Sequence, residues 1–159
     1  NIIRMVSEKL NCIPFFLNAP FLVNSEDAKE LVLDDHSNKY LMELASKTNI
    51  NIIGSSNLNS NGIIFQVGVL DEKDREELLS KGAIGEIAGF PIDKNGKEIS
   101  WSKSRLYTGV PLDTIKKASN VICLSGEEEK ADILAAGMKG GYFNILITSQ
   151  KTAEELIRM

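Results

Sequence analysis

The segment from Pro111 to Met159 limits the possible folds more than any other part of the chain. Stretches with helical spacing and short apolar runs take turns along it: "LDTIKKAS", then "NVICLSG", "EEKADILAAGMK", "YFNILIT" and "QKTAEELIRM". Two strands joined by a helix of this length are brought side by side in parallel, because the crossover must pack back onto the sheet it left. Such units predict an α/β fold, with a mainly parallel sheet and helices on both of its faces. The apolar residues Phe15, Phe16, Ile52, Ile53, Val121, Ile122, Ile145 and Leu146 are the expected core.

The upstream half extends the same pattern. Ile2, Ile3, Val6 and Leu10 recur at helical spacing, and "CIPFFLNAP" reads as a short strand closed by Pro20. "SEDAKELVLD" has Ser25 as an N-cap with acids in the first turn, and "SNKYLMELASKTN" continues as helix. "INIIGSS" reads as a buried strand that opens at Gly54 into the polar loop "SSNLNSNG", whose Asn and Ser side chains favour turns by bonding their own backbone. "DEKDREELLSKG" is a charged helix closed by Gly82, and "GAIGEIAGFPIDKNGKEIS" predicts a small antiparallel hairpin with an Asn95-Gly96 turn. Gly140-Gly141 ends a helix.

Composition excludes several classes of function. A chain of 159 residues, 43% hydrophobic and 25% charged, suits one globular domain without a linker. With 18 basic against 22 acidic residues and a net charge of −4, no stretch gathers the Lys and Arg of a nucleic-acid stripe. Cys12 and Cys123, each among apolar neighbours, support neither a disulfide framework nor a metal site, and a reducing, cytoplasmic setting fits best. No run approaches the roughly 18 apolar residues of a membrane span. No cofactor motif occurs. The chain opens on Asn1 without an initiator Met, which points to a piece of a longer protein.

Ligands of open parallel sheets bind where loops leave the carboxyl ends of the strands. Three stretches qualify: Gly54 to Gly62, Gly82 to Phe90, and Ser125 to Lys130. In the last, Glu127, Glu128 and Glu129 could complement the positive end of a helix dipole. His36, the only histidine, is expected to be exposed, and Trp101 to cover the sheet. Arg105 could hold an anion or a neighbouring carboxylate.

"GAIGEIAGFPIDKNGKEI", followed by "VICLSGEEEKADILAAGMKGGYFNILITSQKTAEELI", together with "LNAP" and "LMELASKTNINIIGSS", resembles the effector domain of the SorC/DeoR sugar-binding transcriptional regulators. The family pattern is Gly-Ala-Val-Gly-Asp/Glu-Ile, Asp-x-x-Gly, a glycine turn with Lys shortly after, Gly-Gly, and a Leu-Ile-Thr strand before a Thr-Ala helix. The resemblance covers essentially the whole chain. It implies a fold like that of sugar-phosphate isomerases and CoA transferases, a sugar or phosphorylated sugar as effector, and assembly into homo-oligomers. It also implies operator DNA as a partner, through an N-terminal helix-turn-helix domain that is missing from this chain. The family's effector domain begins with a strand and a Gly-Thr-rich phosphate loop upstream of the helix matching "NIIRMVSEKL", so residues 1–159 are expected to be an effector domain incomplete at its N-terminus. Exposed apolar residues around the hairpin, from Phe90 to Trp101, are the expected contact between subunits.

Carried onto this sequence, the resemblance implies a ligand site of Gly54, Gly85, Glu86, Gly126, Glu127 and Lys130, with no catalytic residue. Glu86 would accept sugar hydroxyls and Lys130 would meet a phosphate or carbonyl oxygen, roles that suit a carboxylate and a compact ammonium. Read without the resemblance, Glu86 could be a solvated strand-end charge and Lys130 a surface lysine paired with Glu127. Glu127 stands where the family commonly has a second glycine. A carboxylate there would repel an incoming phosphate, which leaves an unphosphorylated sugar as an alternative ligand. Ser149 replaces an aspartate and should still cap its helix. An isomerase or deaminase sharing the fold is the competing reading; the deaminase is disfavoured because no Asp-x-His-x-x-x-x-Glu arrangement occurs.

Overall fold

Two three-stranded sheets lie next to each other; the chain enters the second from the first at a single glycine, Gly54, and returns through residues 94–119. The computed structural model describes residues 2–59 and 62–159. In chain order these form α1 (Ile2–Leu10), α2 (Glu26–Asp34), α3 (His36–Ser46), β1 (Ile50–Ile53), β2 (Ser55–Asn57), α4 (Ile63–Gln66) and α5 (Glu72–Ser80). There follow β3 (Ala83–Ile87), β4 (Phe90–Asp93), α6 (Leu112–Ile115), β5 (Asn120–Leu124), α7 (Ala131–Lys139), β6 (Ile145–Ile147) and α8 (Gln150–Arg158).

The first sheet has the order β1-β5-β6 and is parallel, as the strand–helix alternation predicts. The second, β2-β3-β4, is antiparallel, so the expected hairpin is two of three strands. Its tight turn is Ala88-Gly89, with φ of 51° and 87°, the doubly left-handed geometry of a two-residue hairpin loop. The Asn95-Gly96 turn is also present. There the Asp93 carboxylate accepts the amides of Asn95 at 2.8 Å and Lys97 at 2.9 Å.

Helix α7 covers both sheets with Ile133, Leu134 and Ala136, packed among Ile53, Ile87, Val121 and Cys123. The helix comes so close to β3 that a Cβ on Gly85 would stand 2.3 Å from Ile133 Cδ1. The predicted caps are in place: Ser25 Oγ accepts from Ala28 N and Ser149 Oγ from Thr152 N. Gly82 and Gly141 follow the ends of α5 and α7 with positive φ.

The structure departs from the sequence reading in several places. "CIPFFLNAP" is not a strand; its backbone near Asn18 is held instead by the buried Asn38 side chain, which accepts from Asn18 N at 3.1 Å and donates to Asn18 O at 3.2 Å. The first residues of the polar loop, Ser55 to Asn57, are strand β2, because pairing with β3 satisfies the backbone better than local Asx and Ser turns. Ser60 and Asn61 lie outside the described residues. Ala83 to Phe90 is strand and hairpin turn rather than loop. Glu128–Lys130 is a 3-10 turn, and the α-helix begins only at Ala131.

Expectations about burial also change. Phe15 is 51% exposed, Ile52 61% and Ile145 38%. Ile52 and Ile145 both flank Ile122 on β5, and Leu124 flanks Ile147, so they share one face of the parallel sheet. Helix α7 packs on the other face. Helix α1 stands at the border of the exposed one, across a cavity of about 540 Å3 lined in part by Ile3, Val6, Ile52 and Leu124. The apolar residues of the hairpin do not form an exposed contact surface. Phe90, Ile92 and Trp101 are all buried, Phe90 and Trp101 around the Tyr107 ring.

Candidate ligand site

The candidate site lies where the two sheets join, beside the carboxyl ends of β1, β5 and β6. Gly54 links β1 to β2, and its carbonyl accepts the Ala88 amide at 2.9 Å, tying the hairpin turn to the end of the parallel sheet. One residue on, Ser55 Oγ donates to Ser125 Oγ at 2.8 Å, a buried bond between the first residue of β2 and the residue after β5. Thr148 follows the end of β6, and its buried hydroxyl has no hydrogen-bond partner among the described residues.

Glu86, the fourth residue of β3 and opposite Ser56, lies close enough to Lys130 to feel its charge. Its Oε2 accepts the Gly89 amide. Burial of the carboxyl group raises its pKa to about 7, although the Gly89 hydrogen bond and the charge of Lys130 both work against the rise. Cys123 lies in the same field. Burial pushes its thiol up to about 11, the Glu86 charge adds to the rise and Lys130 opposes it.

Lys130 ends the 3-10 turn before α7, with only 18% of its side chain exposed, and its Nζ is 3.0 Å from Glu127 Oε2. The expected pairing with Glu127 is therefore present, though on a largely buried rather than a surface lysine, and Glu86 lies within reach of the same charge. Gly126 lies against the start of α8, where an added Cβ would be 3.7 Å from Ser149 N. Glu127 makes no capping bond, and Glu128 pairs with Lys151 at 3.2 Å. At least two of the three glutamates thus have lysine partners in addition to any effect on a helix end.

Of the six positions singled out in the sequence, Glu86, Gly126, Glu127, Lys130 and Gly54 gather around this junction. Gly85 stands apart, in the packing contact with α7. Ser55, Ser125 and Thr148 were not singled out. A signal for them does exist in the sequence: each closes an apolar run, in "INIIGS", "VICLS" and "ILIT", where parallel strands present their carboxyl ends. His36 is exposed at the start of α3, and Arg105 lies 3.6 Å from the Glu26 carboxylate. Among the described residues no group of three or more His, Cys, Asp or Glu is placed to hold a metal ion, and no helix is long and apolar enough to cross a membrane.

Comparison with known proteins agrees with this architecture. Residues 1–158 match the sugar-binding domain family Sugar-bind. The chain is 25% identical over 155 residues to the deoxyribonucleoside regulator of Bacillus subtilis, covering 98% of this chain and 49% of that protein. It is 23% identical over 159 residues to the erythritol catabolism regulatory protein EryD of Brucella abortus, covering 99% and 49%. It thus spans about half the length of these relatives. Among solved structures, the sugar-binding domain of a transcriptional repressor from Vibrio fischeri superposes with a TM-score of 0.87 at 22% identity, over 98% of this chain and 62% of that one. The matched family is one of ligand-binding domains rather than enzymes, so the isomerase and deaminase alternatives give way. With its family match covering nearly every residue, the chain belongs to the sugar-binding domain family of SorC/DeoR-type transcriptional regulators.

Proposed function

We propose that this chain senses a sugar or sugar-derived effector for a bacterial, cytoplasmic transcriptional regulator, and that ligand binding at the sheet junction changes the DNA affinity of a domain outside these 159 residues. The observation that carries this reading is Glu86, a carboxylate in low-dielectric surroundings beside a largely buried lysine. A carboxylate accepts two hydroxyl hydrogen bonds at once, and the hydroxyls of Ser55, Ser125 and Thr148 lie around the same junction. Binding acts on the regulator by favouring one of its conformational states over another.

The uncovered isoleucine face supports an effector domain whose remaining layer is contributed by further polypeptide of the same protein, because parallel sheets are normally buried on both faces. In the complete regulator we expect a homo-oligomer, with its contact away from the buried hairpin.

The test is a thermal-shift screen of sugars, polyols and their phosphates on the full-length protein, since a specific ligand stabilises the folded state according to its occupancy. Glu86→Gln should then weaken the best ligand by about tenfold, the loss expected for one charge-assisted acceptor. Unchanged affinity by calorimetry would remove Glu86 from the site.

A further inference from the structure

The stretch "LNAPF", Leu17 to Phe21, belongs to no strand, yet two buried polar side chains hold it in place. Asn38, 3% exposed, accepts from Asn18 N and donates to Asn18 O. Thr108, 1% exposed, donates its hydroxyl to Pro20 O and its amide to Phe21 O at 3.2 Å. The Tyr107 ring meets the Phe21 ring edge to face, with centroids 5.2 Å apart. The tip of the ring so fixed reaches the β3–β4 turn. A Cβ on Gly89 would stand 2.9 Å from Phe21 Cε2 and closer still to Cζ, so the ring fills the place that a side chain would take. Gly89 is the residue whose amide donates to Glu86 Oε2, and Ala88 before it donates its amide to Gly54 O. Ala88 has φ of 51°, a strained conformation for a residue with a Cβ, so the turn needs its neighbours to keep its shape.

We propose that Phe21 is a positioning residue for the ligand site: by holding Gly89 in place it fixes the direction in which Glu86 presents its carboxylate. The inference rests on the reading above that Glu86 accepts effector hydroxyls, and adds the residue that orients it. Oε2 is bonded to the turn, so the place of Gly89 N sets the rotation of the carboxylate and with it where Oε1 points. A carboxylate free to swing loses affinity, because each binding event must order it again. Without the ring tip a space would open beside Gly89, and the strained Ala88-Gly89 pair could relax into it. Phe21 acts through Gly89, at one remove from the ligand.

The experiment uses the full-length protein in two arms. In the first, without ligand, 15N-glycine labelling follows the Gly89 amide proton from pH 4.5 to 8; its resonance is the one whose titration Glu86→Gln removes. Phe21→Ala should reduce that titration shift by about half or more, because the hydrogen bond weakens steeply as its geometry is lost. Phe21→Leu, which keeps bulk next to the backbone and withdraws the ring tip, should act in the same way, and Phe21→Met, which reaches Gly89 again, should restore part of the shift. In the second arm ribose, erythritol and sorbitol and their terminal phosphate esters are titrated by calorimetry, and the tightest is carried through the variants. Phe21→Leu should weaken it by about tenfold in the wild type and by less than about twofold in a Glu86→Ala background, where no carboxylate is left to orient. An equal loss in both backgrounds, or a Gly89 titration unchanged in Phe21→Ala and Phe21→Leu, overturns the inference and leaves the sugar-binding reading standing. If none of these compounds binds the wild type, or if Glu86→Ala binds the tightest of them unchanged, the reading of Glu86 as a ligand contact and the inference fall together.

Discussion

Ile87 and Ile92 in the antiparallel sheet are fully buried, whereas Ile50, Ile52 and Ile147 in the parallel sheet are exposed, although all five lie in short apolar strands. Helix α7 accounts for the difference. It closes over β2, β3 and β4 and over the Val121–Cys123 face of β5, whereas Ile50, Ile52, Leu124 and Ile147 of the parallel sheet stay exposed among the described residues. One region has a finished core and the other has half of one. The candidate site lies between them, with the β3–β4 hairpin on one side and the ends of the parallel strands on the other.

Truncation of a core side chain gives the sharpest contrast between the two regions. Ile87→Ala should destabilise the 159-residue chain by about 2–5 kcal/mol, whereas Ile52→Ala should cost it less than about 1 kcal/mol, because little apolar surface is removed from contact. In the full-length protein the cost of Ile52→Ala should rise to about 2–4 kcal/mol if further polypeptide covers the face. Urea unfolding of these three variants against their parent proteins measures this. Equal, small Ile52→Ala effects in both proteins would mean that the face stays open.

Glu86 adds a pH dependence to the closed region. Its pKa rises from an ordinary 4.5 to about 7 on folding. The folded state therefore binds this proton more tightly, and the associated stabilisation is full below the unfolded pKa near 4.5 and lost as pH rises towards 7. Stability should fall by about 2 kcal/mol across that window, with solvent at the partly exposed residue moderating the effect. Glu86→Gln should flatten that part of the profile. A thermal-melt series from pH 4.5 to 8 that is the same for both proteins would place the Glu86 carboxyl group in water.

The smallest expected effect lies at the junction itself. Ser125→Ala removes the partner of the buried Ser55 hydroxyl and should cost about 1 kcal/mol, with the Ser55→Ala, Ser125→Ala double variant costing less than the sum of the singles. Additive losses would mean that the two sheets are not joined through this bond.

Much of this architecture is legible in the sequence, because it rests on local chemistry. The β5–α7–β6 unit follows from hydrophobic period, α2 and α8 from Ser25 and Ser149 as caps, and the ends of α5 and α7 from Gly82 and Gly140-Gly141. Glu86 and Lys130 could be singled out because their motif resembles a known family. What the tertiary structure alone decided depends on neighbours distant in sequence. Ser55–Asn57 became a strand because β3, some 30 residues later, offers its backbone, overriding the turn preference of Ser and Asn. "CIPFFLNAP", with good strand composition, found Asn38 instead of a strand edge. Isoleucines of equal hydrophobicity divided into buried and exposed sets according to where α7 could reach. The raised pKa of Glu86 likewise required burial strong enough to outweigh the opposing charge of a lysine brought from another element, and sequence spacing carries neither the dielectric nor the distance that sets a pKa.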